Sequence, residues 1–123
     1  VKEGQTILLA DDHEDIKKVV REVAAKNKLK LVEASDGQEA LDIAPEIEPD
    51  LILIHRKVPV LDALSVTVLL KQDPRTKNIP VIVLCHDASM PEREKFQDAG
   101  CDDFLLAPFS QDQLKEKLEA WLK

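Results

Sequence analysis

Short apolar runs alternate with segments whose apolar residues recur every three or four positions, and the alternation repeats five times. Thr6-Ile7-Leu8-Leu9-Ala10 is a continuous apolar run, as a parallel strand covered on both faces requires. From Asp12 to Lys26, Ile16, Val19, Val20, Val23 and Ala24 fall at helical spacing. Leu29 to Ala34 predicts a second strand. The stretch SDGQEALDIA predicts a second helix, with Ser35 or Asp36 as N-cap and Pro45 near its end. Leu51 to Ile54 predicts the third strand, Asp62 to Gln72 the third helix, and Val81 to Cys85 the fourth strand. Ser89 and Glu92, in SMPE, have capping-box spacing and predict the start of a fourth helix. Asp103 to Leu106 predicts the last strand. Ser110 and Gln113 cap a final helix whose Leu114, Leu118, Trp121 and Leu122 form one stripe.

This alternation predicts a doubly wound α/β domain, a five-stranded parallel sheet with helices on both faces. At 123 residues the chain builds one core, so residues 1–123 read as a single isolated domain. In such sheets the site lies at the carboxyl ends of the strands. The first strand ends at Asp11-Asp12, the third at His55, the fourth at Cys85-His86 and the fifth at Ala107-Pro108. Those residues are expected to share one shallow pocket.

Composition narrows the function classes. A net charge of −7, three Phe, one Trp and no Tyr supply neither a basic face nor a stacking platform for nucleic acid. No apolar run approaches the roughly 20 residues of a membrane span, and no secretory leader is read at the start. Cys85 and Cys101 form no CxxC pair, which fits a reducing cytoplasm.

The segments ILLADDHED, EASDGQEAL, PDLILIHRKVPVLDAL, DPRTKNIPVIVLCH and AGCDDFLLAPFS, with the closing helix, resemble the receiver domain of two-component response regulators. The resemblance implies the flavodoxin-like strand order 2-1-3-4-5 and a place in cytoplasmic signal transduction. In that family an acidic pair after the first strand holds Mg²⁺, and an Asp ending the third strand accepts a phosphoryl group. A Thr or Ser ends the fourth strand, and a Lys precedes a proline after the fifth. Asp11 and Asp12 match the acidic pair, and Pro59, Asp62 and Pro108 also match. The acceptor position holds His55, the hydroxyl position Cys85 and the lysine position Ala107, while Ala63 stands where Gly is usual. Receiver chemistry depends on positioning and charge stabilisation, so these three changes strike one mechanism together. His55 removes nucleophile and oxygen ligand, Ala107 removes a cation, and Cys85 is a weak donor.

The resemblance therefore implies an atypical, non-enzymatic receiver that works without phosphorylation, with no cofactor or at most a weak divalent metal at Asp11 and Asp12. Its partners would be signalling proteins or attached domains of a longer chain. Two alternatives stay open. Asp11, Asp12 and His55 are an acceptable ligand set for Zn²⁺ or Mn²⁺, in a sensing or hydrolytic site. The other is a receiver phosphorylated by an unusual route.

The residues themselves leave further readings. His55 is expected neutral and hydrogen-bonded to one of the aspartates, although the same aspartates would favour its charged form. Cys85 and His86 point to opposite faces of an extended chain, so they form no catalytic pair. Cys101 reads as a packing residue and His13 as the start of the first helix. Phe104 matches the aromatic that the family's switch moves with the residue at Cys85. On the third helix, Ala63, Val66, Thr67 and Leu70 face the core. Leu61, Leu64 and Val68 form a second apolar stripe that predicts a protein contact, a homodimer among the options.

Overall fold

The computed structural model describes residues 1–87, 89 and 91–123. Strands β1 (Thr6–Ala10), β2 (Lys30–Ala34), β3 (Leu51–His55), β4 (Val81–Cys85) and β5 (Asp103–Leu106) are all parallel, in the order β2-β1-β3-β4-β5. Helices α1 (Glu14–Lys26), α2 (Gly37–Ile47), α3 (Ala63–Gln72), α4 (Arg93–Ala99) and α5 (Gln111–Trp121) alternate with them. The fold and strand order are those expected from the sequence. Every residue of β3 and β4 is buried, which is why both read as uninterrupted apolar runs.

Side-chain alternation along the strands separates two core layers. Ile7, Leu9, Leu51, Leu53, Ile82 and Leu84 pack against Ile16, Val20 and Val23 of α1 and Leu114 and Leu118 of α5. Leu8, Ile52, Ile54, Val81 and Val83 pack against Ala40 and Ala44 of α2, Val66 and Leu70 of α3, and Phe96 of α4. Each of these buried Val, Leu, Ile and Phe side chains contributes about 1.5–3 kcal/mol relative to exposure. Among the described residues, no helix is long and apolar enough to cross a membrane.

Three of the five helix starts follow their capping chemistry, while α1 and α4 have no side-chain cap. Asp36, not Ser35, caps α2 by accepting from Glu39 N at 2.7 Å. Asp62 caps α3 through Ser65 N, and Ser110 and Gln113 form the full capping box of α5. The Ser89/Glu92 box does not form: α4 begins at Arg93, and Glu92 makes no side-chain cap. Ser89 turns back to Asp87, while the Glu92 carboxylate accepts from the Arg56 guanidinium at 2.9 Å. A charge pair between distant segments outcompetes the local cap. Met90 of that motif lies outside the described residues.

The segment linking β3 to α3 is tightly constrained. Gly37 N donates to Pro59 O, and a Cβ on Gly37 would stand 1.9 Å from Leu61 O, so α2 closes directly onto this turn. Val60, at its tip, is 80% exposed and has φ of 74°. A β-branched residue in the left-handed region is strained, whereas Asn tolerates it. Val60→Asn is expected to stabilise the domain by about 1 kcal/mol. Urea unfolding would show this as a higher midpoint at unchanged m.

Candidate functional site

The carboxyl ends of β1, β3 and β4 meet beside the β1/β3 switch point, where the strand order reverses and ligands bind in open α/β sheets. Alternation decides which side chains meet there. Asp11 continues the face of Ile7 and Leu9, His55 that of Leu51 and Leu53, and His86 that of Leu84. Cys85 falls on the opposite face, buried in the α2–α4 layer. His13, N-cap of α1, completes the group.

Three imidazoles result, with ring centroids 4.4 Å (His13–His55), 5.1 Å (His13–His86) and 5.0 Å (His55–His86) apart. They line a cavity of about 190 Å³ together with Arg56, Lys57 and Asp87. His55 is 2% exposed, His13 partly exposed and His86 exposed, so the group runs from core to solvent. A larger groove, about 560 Å³, lies between α2 and α3, lined by residues such as Leu41, Pro45, Leu69 and Arg75, away from these strand ends.

Hydrogen bonds fix the protons. Lys57 N donates to His55 Nδ1 at 3.0 Å, which places the proton of the neutral ring on Nε2. Nε2 lies 3.0 Å from His86 Nδ1 and donates to it. The expected bond from His55 to an aspartate is therefore replaced by one to His86. His13 takes the carboxylate instead: its backbone N–H and Nδ1 both reach Asp11 Oδ1, at 2.9 and 2.6 Å. Among the described residues, Asp11 Oδ2 is buried without a hydrogen-bond partner.

The electrostatics follow. The hydrogen bond that His13 donates to the Asp11 carboxylate raises the pKa of His13 above the ordinary imidazole value. For His55, burial outweighs the pull of Asp11 and holds the pKa below that value, with His13 and His86 adding to the effect. The aspartates do favour the charged form of His55, as expected from the sequence, but burial outweighs them. Burial also pushes the Cys101 thiol up to about 11, consistent with a packing role rather than a reactive one.

Ala107 is buried in the α1–α5 layer, and its N–H donates to Cys85 O at 2.6 Å. Phe104 packs edge-on against Phe96 with the Arg93 guanidinium 4.3 Å above its ring. Ala63, Val66, Thr67 and Leu70 are buried as expected. Of the second stripe, Leu61 and Leu64 pack against the α2–α4 layer and Val68 is half-buried, leaving Leu69 exposed beside them.

The sequence placed Asp11, Asp12, His55, Cys85, His86, Ala107 and Pro108 in one pocket, gave His86 no role there and left His13 outside it. In the structure His55 and His86 line the pocket with His13, whereas Cys85 and Ala107 are buried in the core layers. The available signal was spacing: His13 lies two residues beyond Asp11, and His86 two beyond Leu84. Mg²⁺ does not fit this donor set. It demands hard oxygens in near-octahedral order, yet an imidazole stands at the third carboxylate position and Asp11 Oδ1 is engaged by His13.

Known proteins resemble this chain throughout. The polar-differentiation response regulator DivK of Brucella anthropi is 30% identical over 118 residues, covering 96% of each chain. The receiver domain of sensor histidine kinase PA1611 from Pseudomonas aeruginosa, solved with magnesium in its active-site cleft, is 29% identical. It superposes with a TM-score of 0.88 over 97% of this chain and 98% of its own. The Saccharomyces cerevisiae Ssk1 receiver domain, crystallised with the histidine phosphotransfer protein Ypd1, shares the fold at 21% identity and a TM-score of 0.86. That match covers 97% of this chain and 90% of the other. The response regulator receiver domain model matches residues 7–119, and the chain belongs to that family.

Proposed function

We propose that residues 1–123 form a phosphorylation-independent receiver, a regulatory or protein-interaction module of cytoplasmic two-component signalling that catalyses no reaction. One observation carries the proposal: the acceptor position holds an imidazole with both ring nitrogens engaged, Nδ1 by the Lys57 amide and Nε2 by His86. A phosphoryl acceptor must present a free lone pair in line with the leaving group. The surroundings agree. Buried Ala107 offers no ammonium to the phosphoryl oxygens, and Cys85 is turned into the other layer. The relationship to DivK supports a bacterial signalling role, with another signalling protein as partner. Without phosphate as trigger, signalling rests on the surface the fold presents.

Incubation with acetyl phosphate and Mg²⁺, followed by intact-mass measurement, is expected to show no added phosphoryl group. A stoichiometric gain that disappears in His55→Ala would overturn the proposal.

A further inference from the structure

We propose that His13, His55 and His86 form a binding site for a late first-row divalent transition ion of the Zn²⁺ type, replacing the family's oxygen-ligated cation. Among the described residues, one ring nitrogen from each histidine lies within 4.8 Å of the others. With metal–nitrogen bonds of about 2.0–2.1 Å, a tetrahedral ion separates its ligands by about 3.3 Å. The 3.0 Å between His55 Nε2 and His86 Nδ1 is already close to that spacing. Three imidazoles suit Zn²⁺, Co²⁺ or Ni²⁺ and disfavour Mg²⁺.

A second, independent observation points to a cation. Asp11 is 1% exposed, and its Oδ2 is buried with no hydrogen-bond partner among the described residues. An unpaired carboxylate oxygen out of water is costly, and a divalent charge alongside would offset that cost. Its other oxygen already receives His13 Nδ1–H, the carboxylate–histidine arrangement that orients metal-binding imidazoles. The cavity of about 190 Å³ has room for an ion with a few waters, each taking about 30 Å³.

The tautomers make the binding step explicit. His13 keeps one proton on Nδ1 against Asp11, and in the charged ring the second proton leaves Nε2 for solvent as the ion binds. His86 Nδ1 is already an acceptor. Only His55 must change its tautomer: its proton moves from Nε2 to Nδ1, and the Lys57 N–H releases Nδ1. No net proton is lost from His55, and Nε2 is freed for the metal. Lys57 follows β3 in an exposed turn, so the amide has room to turn away. The pocket thereby gains a trigger that needs neither an aspartyl nucleophile nor a lysine.

The test is Zn²⁺ titration of the untagged, reduced chain by calorimetry, with Co²⁺ absorption reporting ligand number and amide NMR reporting Lys57. One equivalent of Zn²⁺ is expected to bind, Co²⁺ to give a four-coordinate spectrum, and the Lys57 amide to shift. A large excess of Mg²⁺ is expected not to compete. His86→Ala, at an exposed position, keeps the fold and should weaken binding at least about tenfold. Asp11→Asn should weaken it by about 10–100-fold through His13. Absence of saturable binding would overturn the proposal. So would binding unchanged in both His86→Ala and His13→Ala, or binding displaced by equimolar Mg²⁺.

Discussion

The triple variant His55→Asp, Cys85→Thr, Ala107→Lys is expected to take up one phosphoryl group from acetyl phosphate in the presence of Mg²⁺. Neither the parent nor the variant without Mg²⁺ should do so. The expectation follows from what the scaffold retains. The sheet register brings the ends of β1, β3 and β4 together through parallel pairing, including Ala10 with Ile54 and His55 with Leu84. Asp11 and Asp12 remain on the β1 end, and the turn after β3 is fixed by Gly37 N to Pro59 O and by the Asp62 cap. The backbone at two substituted positions is joined by the Ala107 N–H to Cys85 O bond. A lysine at position 107 would keep its methylenes in the layer holding Ala107 and extend its ammonium toward solvent. Intact mass would rise from no detectable adduct to near one phosphoryl group per chain. A folded triple variant that stays inert would mean that the scaffold itself, not only its side chains, has lost the geometry of phosphotransfer.

The fold was legible because parallel strands buried on both faces leave a strong local signature. The apolar runs of β1, β3 and β4, alternating with segments of helical spacing, indicate the layers before any tertiary contact is known. The start of α4 was not legible, because Arg56, 36 residues earlier in the chain, draws the Glu92 carboxylate away from the helix terminus. Only the folded structure brings those charges together. In the pocket, strand alternation gives the faces of Asp11, His55 and Cys85, and it extends to His86. The partners of His55 do not follow from spacing. They depend on the turn that aims Lys57 N–H at Nδ1 and on the loop after β4 that brings His86 alongside. The sign of the His55 shift was hidden for a related reason. Adjacent acids suggest a charged imidazole, but burial at the end of a covered strand dominates them.

The single substitution His55→Asp is expected to make stability depend on Mg²⁺, which the parent should lack. Without metal, the introduced side chain would be a third carboxylate beside buried Asp11 and neighbouring Asp12, with no lysine at position 107 to compensate. Removing the imidazole also breaks the contact with His86 and leaves an uncompensated charge at a site that is 2% exposed. The cost is about 3 kcal/mol, at the low end for a buried unpaired charge. The same three carboxylates supply hard oxygens for Mg²⁺, and binding to the folded state alone feeds back into stability. At Mg²⁺ about ten times above its Kd, the variant regains about 1.4 kcal/mol. For a domain of this size that raises Tm by about 6 °C. Thermal unfolding of parent and variant in EDTA and across a Mg²⁺ series checks both halves. Equal Mg²⁺ responses in the two proteins would show that His55 is not what bars the ion, and that Asp11 and Asp12 hold it unaided.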